Sequence, residues 1–148
     1  MKQAVWVMCV SLSLAACGGD DGGADPVGGE AATWTQIWED VIVGTGCNGN
    51  ALCHAGETGG LDLTDKDAGY AALVGVAAKG TNLVPGMGTD CVDTGLTRVV
   101  PSNPADSLLM QKIEGPPPCG DVMPPVGMLT EEQVAMFRSW IAAGAKDD

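Results

Sequence analysis

The stretch of the sequence with the clearest chemical potential is CNGNALCH, from Cys47 to His54. Its two cysteines supply nucleophilic sulfurs, and His54, the only histidine of the chain, follows Cys53 directly. In a c-type haem attachment sequence, cysteine sulfurs form thioethers with the vinyl groups of the porphyrin, and the histidine that follows ligates the iron. Cys47, Cys53 and His54 are therefore candidates for a haem attachment site.

The spacing of the two cysteines departs from the usual attachment motif. That motif has two residues between its cysteines, whereas five residues separate Cys47 from Cys53, and Asn50 stands where the first cysteine would be. Because Gly49 and the asparagines tolerate positive φ, the loop can bulge and still bring Cys47 to a vinyl group. Two alternatives stay open: Cys53 forms the only thioether, or the two cysteines form a disulfide.

A competing motif overlaps the same stretch. Gly44, Gly46 and Gly49 spell the G-x-G-x-x-G of a dinucleotide-binding turn. Such a turn needs a strand in front of it and a parallel sheet around it. The preceding run, 34–43, has the apolar spacing of a helix, and few other strand candidates exist. We therefore do not expect a dinucleotide site.

The first residues read as a bacterial export signal. Lys2 precedes a mostly apolar stretch, 4–14, which is shorter than the roughly 20 residues of a membrane-spanning helix. Small residues then lead to Cys17, in a pattern that resembles the lipobox of bacterial lipoproteins. We expect residues 1–16 to be removed and Cys17 to carry the lipid, so that the protein is exported and anchored at the periplasmic side or the cell surface. Gly18 favours the outer membrane.

Composition divides the rest of the chain into a tether and one domain. Residues 17–32 are rich in glycine and acids and predict a flexible linker. Residues 33–148 form one domain of about 115 residues, enough for a modest core. The net charge of −12, from seven basic and nineteen acidic residues, argues against nucleic acid or anionic lipid as partners. A basic protein partner stays open.

Capping residues and apolar spacing predict an all-α domain with about four short helices and long loops rich in glycine and proline. Capping boxes, which start a helix, are expected at Thr33 with Gln36 and at Thr130 with Gln133. The predicted helices begin at Thr33, at Thr64 or Asp65, at Asn103-Pro104 and at Thr130, and end at Gly44, Gly80, Gly115 and Gly144. Because these helices carry little apolar volume, a disulfide, a metal or a bulky cofactor is expected to complete the core.

The remaining cysteines and methionines leave further choices. With Cys9 removed and Cys17 lipidated, four cysteines remain, which an oxidising compartment can pair as two disulfides in three ways. A six-coordinate haem also needs a second axial ligand. Met123 precedes Pro124-Pro125 in a stiff loop, which suits a fixed thioether. Met87 and Met128 also lie in loops, whereas methionines on helices, Met110 and Met136, are expected to fill the core.

Several segments together resemble a known family. In chain order they are CNGNALCH, LDLTDKDAGYAALV, RVVPSNPADSLLMQKIEG, MPPVGMLTEEQ and RSWIAAGA. They are similar to the c-type cytochrome domains of exported lipoproteins of myxobacteria and planctomycetes. In that family a cysteine–histidine site is followed by an MPP loop and by a closing helix with a W-I-x-x-G-A pattern. The similarity covers roughly residues 34–145.

The resemblance implies a small class I-like cytochrome c fold that holds haem c. It implies His54 and Met123 as the axial ligands of the iron, and Cys53, with Cys47, as the haem-linking residues. It also implies a third feature outside the haem ligands. This is a disulfide between Cys91 and Cys119 that pins the MPP loop to its neighbour.

The function implied is transfer of single electrons to a redox partner by a tethered monomer, without enzymatic activity. A peroxidase would need Met123 to leave the iron, and the chain holds no second histidine to act as a distal base. The alternative from a different class is a non-redox lipoprotein module, stapled by disulfides, that retains a decayed cytochrome fold.

Overall fold

The structure is a computed structural model that describes residues 29–49, 53–56, 60–80 and 89–148. Within these ranges it has four helices and no strands, which confirms the all-α class. Helix α1 runs as an α-helix over Trp34–Ile37 and continues without a break as a π-helix over Trp38–Val43. The other helices are α2, Lys66–Leu73, α3, Leu108–Glu114, and α4, Glu131–Ala142. The predicted signal peptide 1–16, Cys17 and most of the linker lie outside the described residues.

Two helices start where the sequence predicts, and for the predicted reason. The Thr33 side chain accepts a hydrogen bond from the Gln36 N–H at 3.1 Å, and the Gln36 side chain accepts one from the Thr33 N–H at 2.9 Å. The same reciprocal pair joins Thr130 and Gln133 at the start of α4, at 3.2 and 3.0 Å. Both capping boxes are confirmed.

Helix α2 ends earlier than predicted. Its cap at Asp65 agrees with the sequence, but the helix stops at Leu73 and does not continue to Gly80. Gly75 takes a φ of 70°, which ends the helical path, and its N–H donates to the Val99 carbonyl at 2.9 Å. The Arg98 N–H in turn donates to the Val76 carbonyl at 2.8 Å. Pairing with the 96–99 segment thus replaces the last helical turn.

Helix α3 begins later than predicted. The Asn103-Pro104 pair forms a turn in which the Asn103 side chain accepts from the Asp106 N–H at 3.2 Å. The first helical residue is Leu108, and Ser107 precedes it as a fully buried residue. The Ser107 hydroxyl donates to the Asn103 carbonyl at 2.8 Å, so it holds the turn rather than the helix. The predicted start was therefore wrong, whereas the predicted end at Gly115 is confirmed.

The core is built where α1 meets α4. The rings of Trp34 and Trp140, exposed by 0% and 1%, stack with centroids 5.2 Å apart, and Tyr70 of α2 packs edge-on against both. Apolar residues of all four helices and of the connecting segments complete this cluster: Ile37, Val41, Ile42, Leu63, Leu73, Val99, Met110, Phe137 and Ile141. The aromatic stack therefore fixes the first described helix against the last.

No helix in the described ranges combines the length and the apolar character needed to cross a membrane.

Candidate functional site

The structure brings Cys47 and His54 together. The main-chain N–H of His54 donates to the Cys47 carbonyl at 2.9 Å, and the Cys47 N–H donates to the Ile42 carbonyl, also at 2.9 Å. The Thr45 hydroxyl lies 3.2 Å from the Cys47 sulfur. Residues 50–52, between the two cysteines, lie outside the described ranges. Cys47 and the backbone of His54 are thus held together at the end of α1.

The His54 ring is oriented by a main-chain carbonyl. Its Nδ1 lies 3.2 Å from the Leu61 carbonyl oxygen, and the His54 carbonyl accepts from the Leu63 N–H at 2.7 Å. Because a carbonyl can only accept, Nδ1 carries the proton in this contact, and Nε2 then carries the lone pair. A hydrogen bond to the other ring nitrogen is the usual way in which a ligating histidine is oriented. The contact with Leu61 therefore fixes the orientation of the His54 ring.

Arg98 holds the segment that faces His54. Its guanidinium donates to the Ala72 carbonyl at 2.7 Å and to the Gly60 carbonyl. The side chain is only 9% exposed, and this burial lowers the pKa of Arg98. Since Gly60 precedes Leu61 directly, the buried guanidinium fixes the position of the carbonyl that orients His54. The sequence carries little sign of this role of Arg98, which is only an arginine directly before two valines.

The structure distinguishes the four cysteines of residues 33–148. Cys91 and Cys119 form a disulfide, with sulfurs 2.10 Å apart and Cα atoms 5.1 Å apart. Cys47 and Cys53 are both partly buried thiols and do not form the alternative disulfide with each other.

Met123 lies in a loop that is tied to α3. Its N–H donates to the Lys112 carbonyl at 2.8 Å, its side chain is partly buried, and its peptide bond to Pro124 is cis. The other methionines near it differ in environment. Met110 is 1% exposed and belongs to the core, whereas Met128 is 92% exposed. Met123 is thus neither fully packed nor fully solvated.

Lys112 holds the chain just before Met123, a role that the sequence does not indicate. Its ammonium group donates to the carbonyls of Cys119, at 3.0 Å, and Asp121, at 2.9 Å. Burial lowers the pKa of Lys112, and the negative charge of Asp121 partly opposes this effect. The residue therefore holds the loop through both its side chain and its main chain.

The donor set of these residues is compatible with haem iron. An imidazole nitrogen and a thioether sulfur are the axial ligands typical of cytochromes c. In the ranges that the structure covers, no group of three or more His, Cys, Asp or Glu is placed to bind a metal ion. A haem bound by one imidazole and one thioether needs no such group, because the porphyrin supplies the other four nitrogens.

Comparison of the chain with protein-family models, with the curated proteins and with the solved structures finds no match.

Proposed function

We propose that this chain is a membrane-tethered c-type cytochrome that carries single electrons. In this proposal Cys53 and Cys47 link haem c through thioethers, His54 and Met123 ligate the iron, and the helical domain has a small class I-like cytochrome c fold. The observation that carries the proposal is the environment of the only histidine. His54 follows Cys53, its main-chain N–H donates to the Cys47 carbonyl at 2.9 Å, and its Nδ1 lies against the Leu61 carbonyl.

The residues of the chain determine how the cofactor is used. When bound, the haem supplies an iron that changes between the ferrous and ferric states by one electron. With haem bound, His54 and Met123 would both ligate the iron and leave no position for a substrate, which favours a carrier over an enzyme such as a peroxidase. A methionine thioether as second ligand raises the reduction potential relative to a second histidine.

The surface next to Met123 suits a brief encounter with a redox partner. Val126 and Met128, 88% and 92% exposed, follow the Met123 loop and lead into the acidic start of α4 at Glu131 and Glu132. This surface is a small apolar patch with acidic residues beside it. It fits a partner protein whose own contact surface is apolar and surrounded by basic residues. Weak contacts of this kind are usual for electron transfer. We propose that the protein acts as a monomer.

The proposed location follows from the export signal. Lipid on Cys17 would anchor the chain at the periplasmic side or the cell surface, with the outer membrane favoured, and residues 18–32 would let the domain move between donor and acceptor. Mass spectrometry of the chain purified from membranes tests this location. The lipid should be found on Cys17, with residues 1–16 absent.

The haem proposal is tested by producing the protein in cells that contain the cytochrome maturation machinery. We expect a Soret band and a reduced α band that survive extraction with acidified acetone, because thioethers are not broken by acid. A His54→Ala variant should lose the six-coordinate spectrum. A stable, folded and colourless wild-type protein would instead support the alternative, a disulfide-stapled lipoprotein module without redox activity.

A further inference from the structure

The loop that carries Met123 depends on Lys112 at three points. The ammonium group donates to the Cys119 and Asp121 carbonyls, at 3.0 and 2.9 Å, and the Lys112 carbonyl accepts from the Met123 N–H at 2.8 Å. These contacts span the whole turn between the disulfide and the methionine. A single residue of α3 therefore sets the course of the chain just before Met123.

The packing around the ammonium group is close. Gly120 has a φ of 65°, and a Cβ placed there would lie 2.5 Å from the Lys112 nitrogen and 3.3 Å from the Cys91 sulfur. The Gly120 N–H donates to the Thr89 carbonyl at 2.6 Å. The Lys112 ammonium group thus lies directly against Gly120. Gly120 in turn lies against the Cys91 sulfur of the disulfide, so the turn is held between the two.

Beyond Met123 the chain runs along the surface. Pro125, Val126, Gly127 and Met128 are all exposed. The loop is therefore fixed on its α3 side, and the position of the Met123 thioether depends on the anchors that precede it.

We propose that Lys112 is the positioning residue for Met123 as an axial ligand. Its ammonium group holds the turn 119–123 so that the thioether stays in reach of the iron, and loss of that group lets the thioether leave. This inference rests on the proposed function, since Met123 has an axial role only if haem is bound. Lys112 itself touches neither the iron nor the porphyrin in this account.

The test compares Lys112→Met with Lys79→Met in the mature, haem-loaded protein. Both changes replace an ammonium group by a thioether chain of similar length, but the side chain of Lys79 is exposed. The readouts are the far-red charge-transfer band of methionine-ligated ferric haem and the affinity for added imidazole, which competes with Met123. Losing two hydrogen bonds from a charged donor should raise the imidazole affinity of Lys112→Met by roughly tenfold or more.

A second readout does not need the haem. Amide hydrogen exchange at Met123 and Gly120 should be faster in Lys112→Met than in Lys79→Met. If Lys112→Met does not fold, Lys112→Gln, which keeps a shorter donor, replaces it and should show a smaller change in the same direction. Equal imidazole affinity and equal exchange in the two variants would overturn the proposal. A wild-type protein without a methionine-ligated haem would instead refute the proposed function, and the exchange comparison would still decide whether Lys112 holds the turn.

Discussion

The N–H of His54 donates to the carbonyl of Cys47 across 2.9 Å, although six residues separate them in the chain. This hydrogen bond joins the two ends of the segment from Cys47 to His54. That segment has five residues between its cysteines, whereas the common attachment motif has two. The hydrogen bond places the backbone of Cys47 beside that of His54, and Cys53 is covalently next to His54. Both cysteines are therefore close to His54 along the backbone.

From this closure we predict two thioethers rather than one. After complete reduction and denaturation of the mature protein, only Cys91 and Cys119 should react with an alkylating reagent, and Cys47 and Cys53 should not. A Cys47→Ala variant should retain haem through Cys53, with the α band of its pyridine complex shifted to longer wavelength because one vinyl group is left unsaturated.

The control for this experiment is Cys91→Ala, which leaves both linking sulfurs in place and should keep the wild-type band position. Detection of an alkylated Cys47 in the haem-loaded wild type would show that a single thioether forms.

A second prediction concerns Arg98. Replacing it by methionine removes two hydrogen bonds from a buried charged donor and leaves the carbonyls of Gly60 and Ala72 without that partner. We expect the free energy of unfolding to fall by about 1.5–3 kcal/mol, measured by urea unfolding. The matched control is Arg138→Met, because Arg138 is 46% exposed and pairs with Glu114 at the surface. Such pairs contribute about 1 kcal/mol or less; an equal loss in both variants would contradict the role assigned to Arg98.

The aromatic stack gives a third prediction. Trp34 is fully buried, packs on Trp140 and donates from its indole N–H to the Lys66 carbonyl at 3.2 Å. Trp34→Ala should cost about 3–5 kcal/mol of stability, because it removes one of the two large indoles of the core and leaves a cavity. Thermal unfolding followed by circular dichroism measures this loss. Val43→Ala, on the exposed end of the same helix, should change the midpoint little, and a comparable shift there would argue against the stack as the centre of the core.

A fourth prediction concerns alkaline pH. The Tyr70 hydroxyl donates to the Ala145 carbonyl at 2.8 Å, and burial, with the charges of Asp147 and Asp148, raises the pKa of Tyr70 above its ordinary value of 10.0. The unfolded chain therefore loses the phenolic proton at a lower pH than the folded protein does. The stability that Tyr70 contributes is present below pH 10 and is lost as pH rises through its folded pKa.

Urea unfolding from about pH 8 to about pH 11 checks this effect. The Tyr70→Phe variant cannot titrate at this position, so its stability should fall less steeply with pH than that of the wild type. If the free energy of unfolding falls equally with pH in the two proteins, Tyr70 does not contribute to the loss of stability at alkaline pH.

The ends of the helices show how far local sequence signals reach. The capping boxes at Thr33 and Thr130 were predictable because both partners of each box lie within one helical turn. The end of α2 was not, because Gly75 and Val76 give up helical hydrogen bonds for partners in the 96–99 segment, which is remote in sequence. Asn103 likewise predicts a helix cap, but its side chain accepts from the Asp106 N–H and so stabilises a turn. The buried Ser107 hydroxyl donates to the Asn103 carbonyl in the same turn.

The residues that hold the candidate site divide in the same way. The sequence could single out Cys47, Cys53 and His54 because their residue types are those that the proposed haem attachment needs. It could not single out Lys112 or Arg98, because both side chains donate to main-chain carbonyls. A carbonyl is present at every residue, so its role as an acceptor leaves no trace in the residue type.

The stacking of Trp34 on Trp140 has a consequence for the timing of biogenesis. Of the described helices, α4 is translated last, and until it emerges the Trp34 indole lacks its stacking partner Trp140. Cys47 to His54 follow α1 directly, so they are displayed on an unfinished chain while the interior is still open. Closure of the core around Trp34 is therefore complete only after α4, the last described helix, has been made.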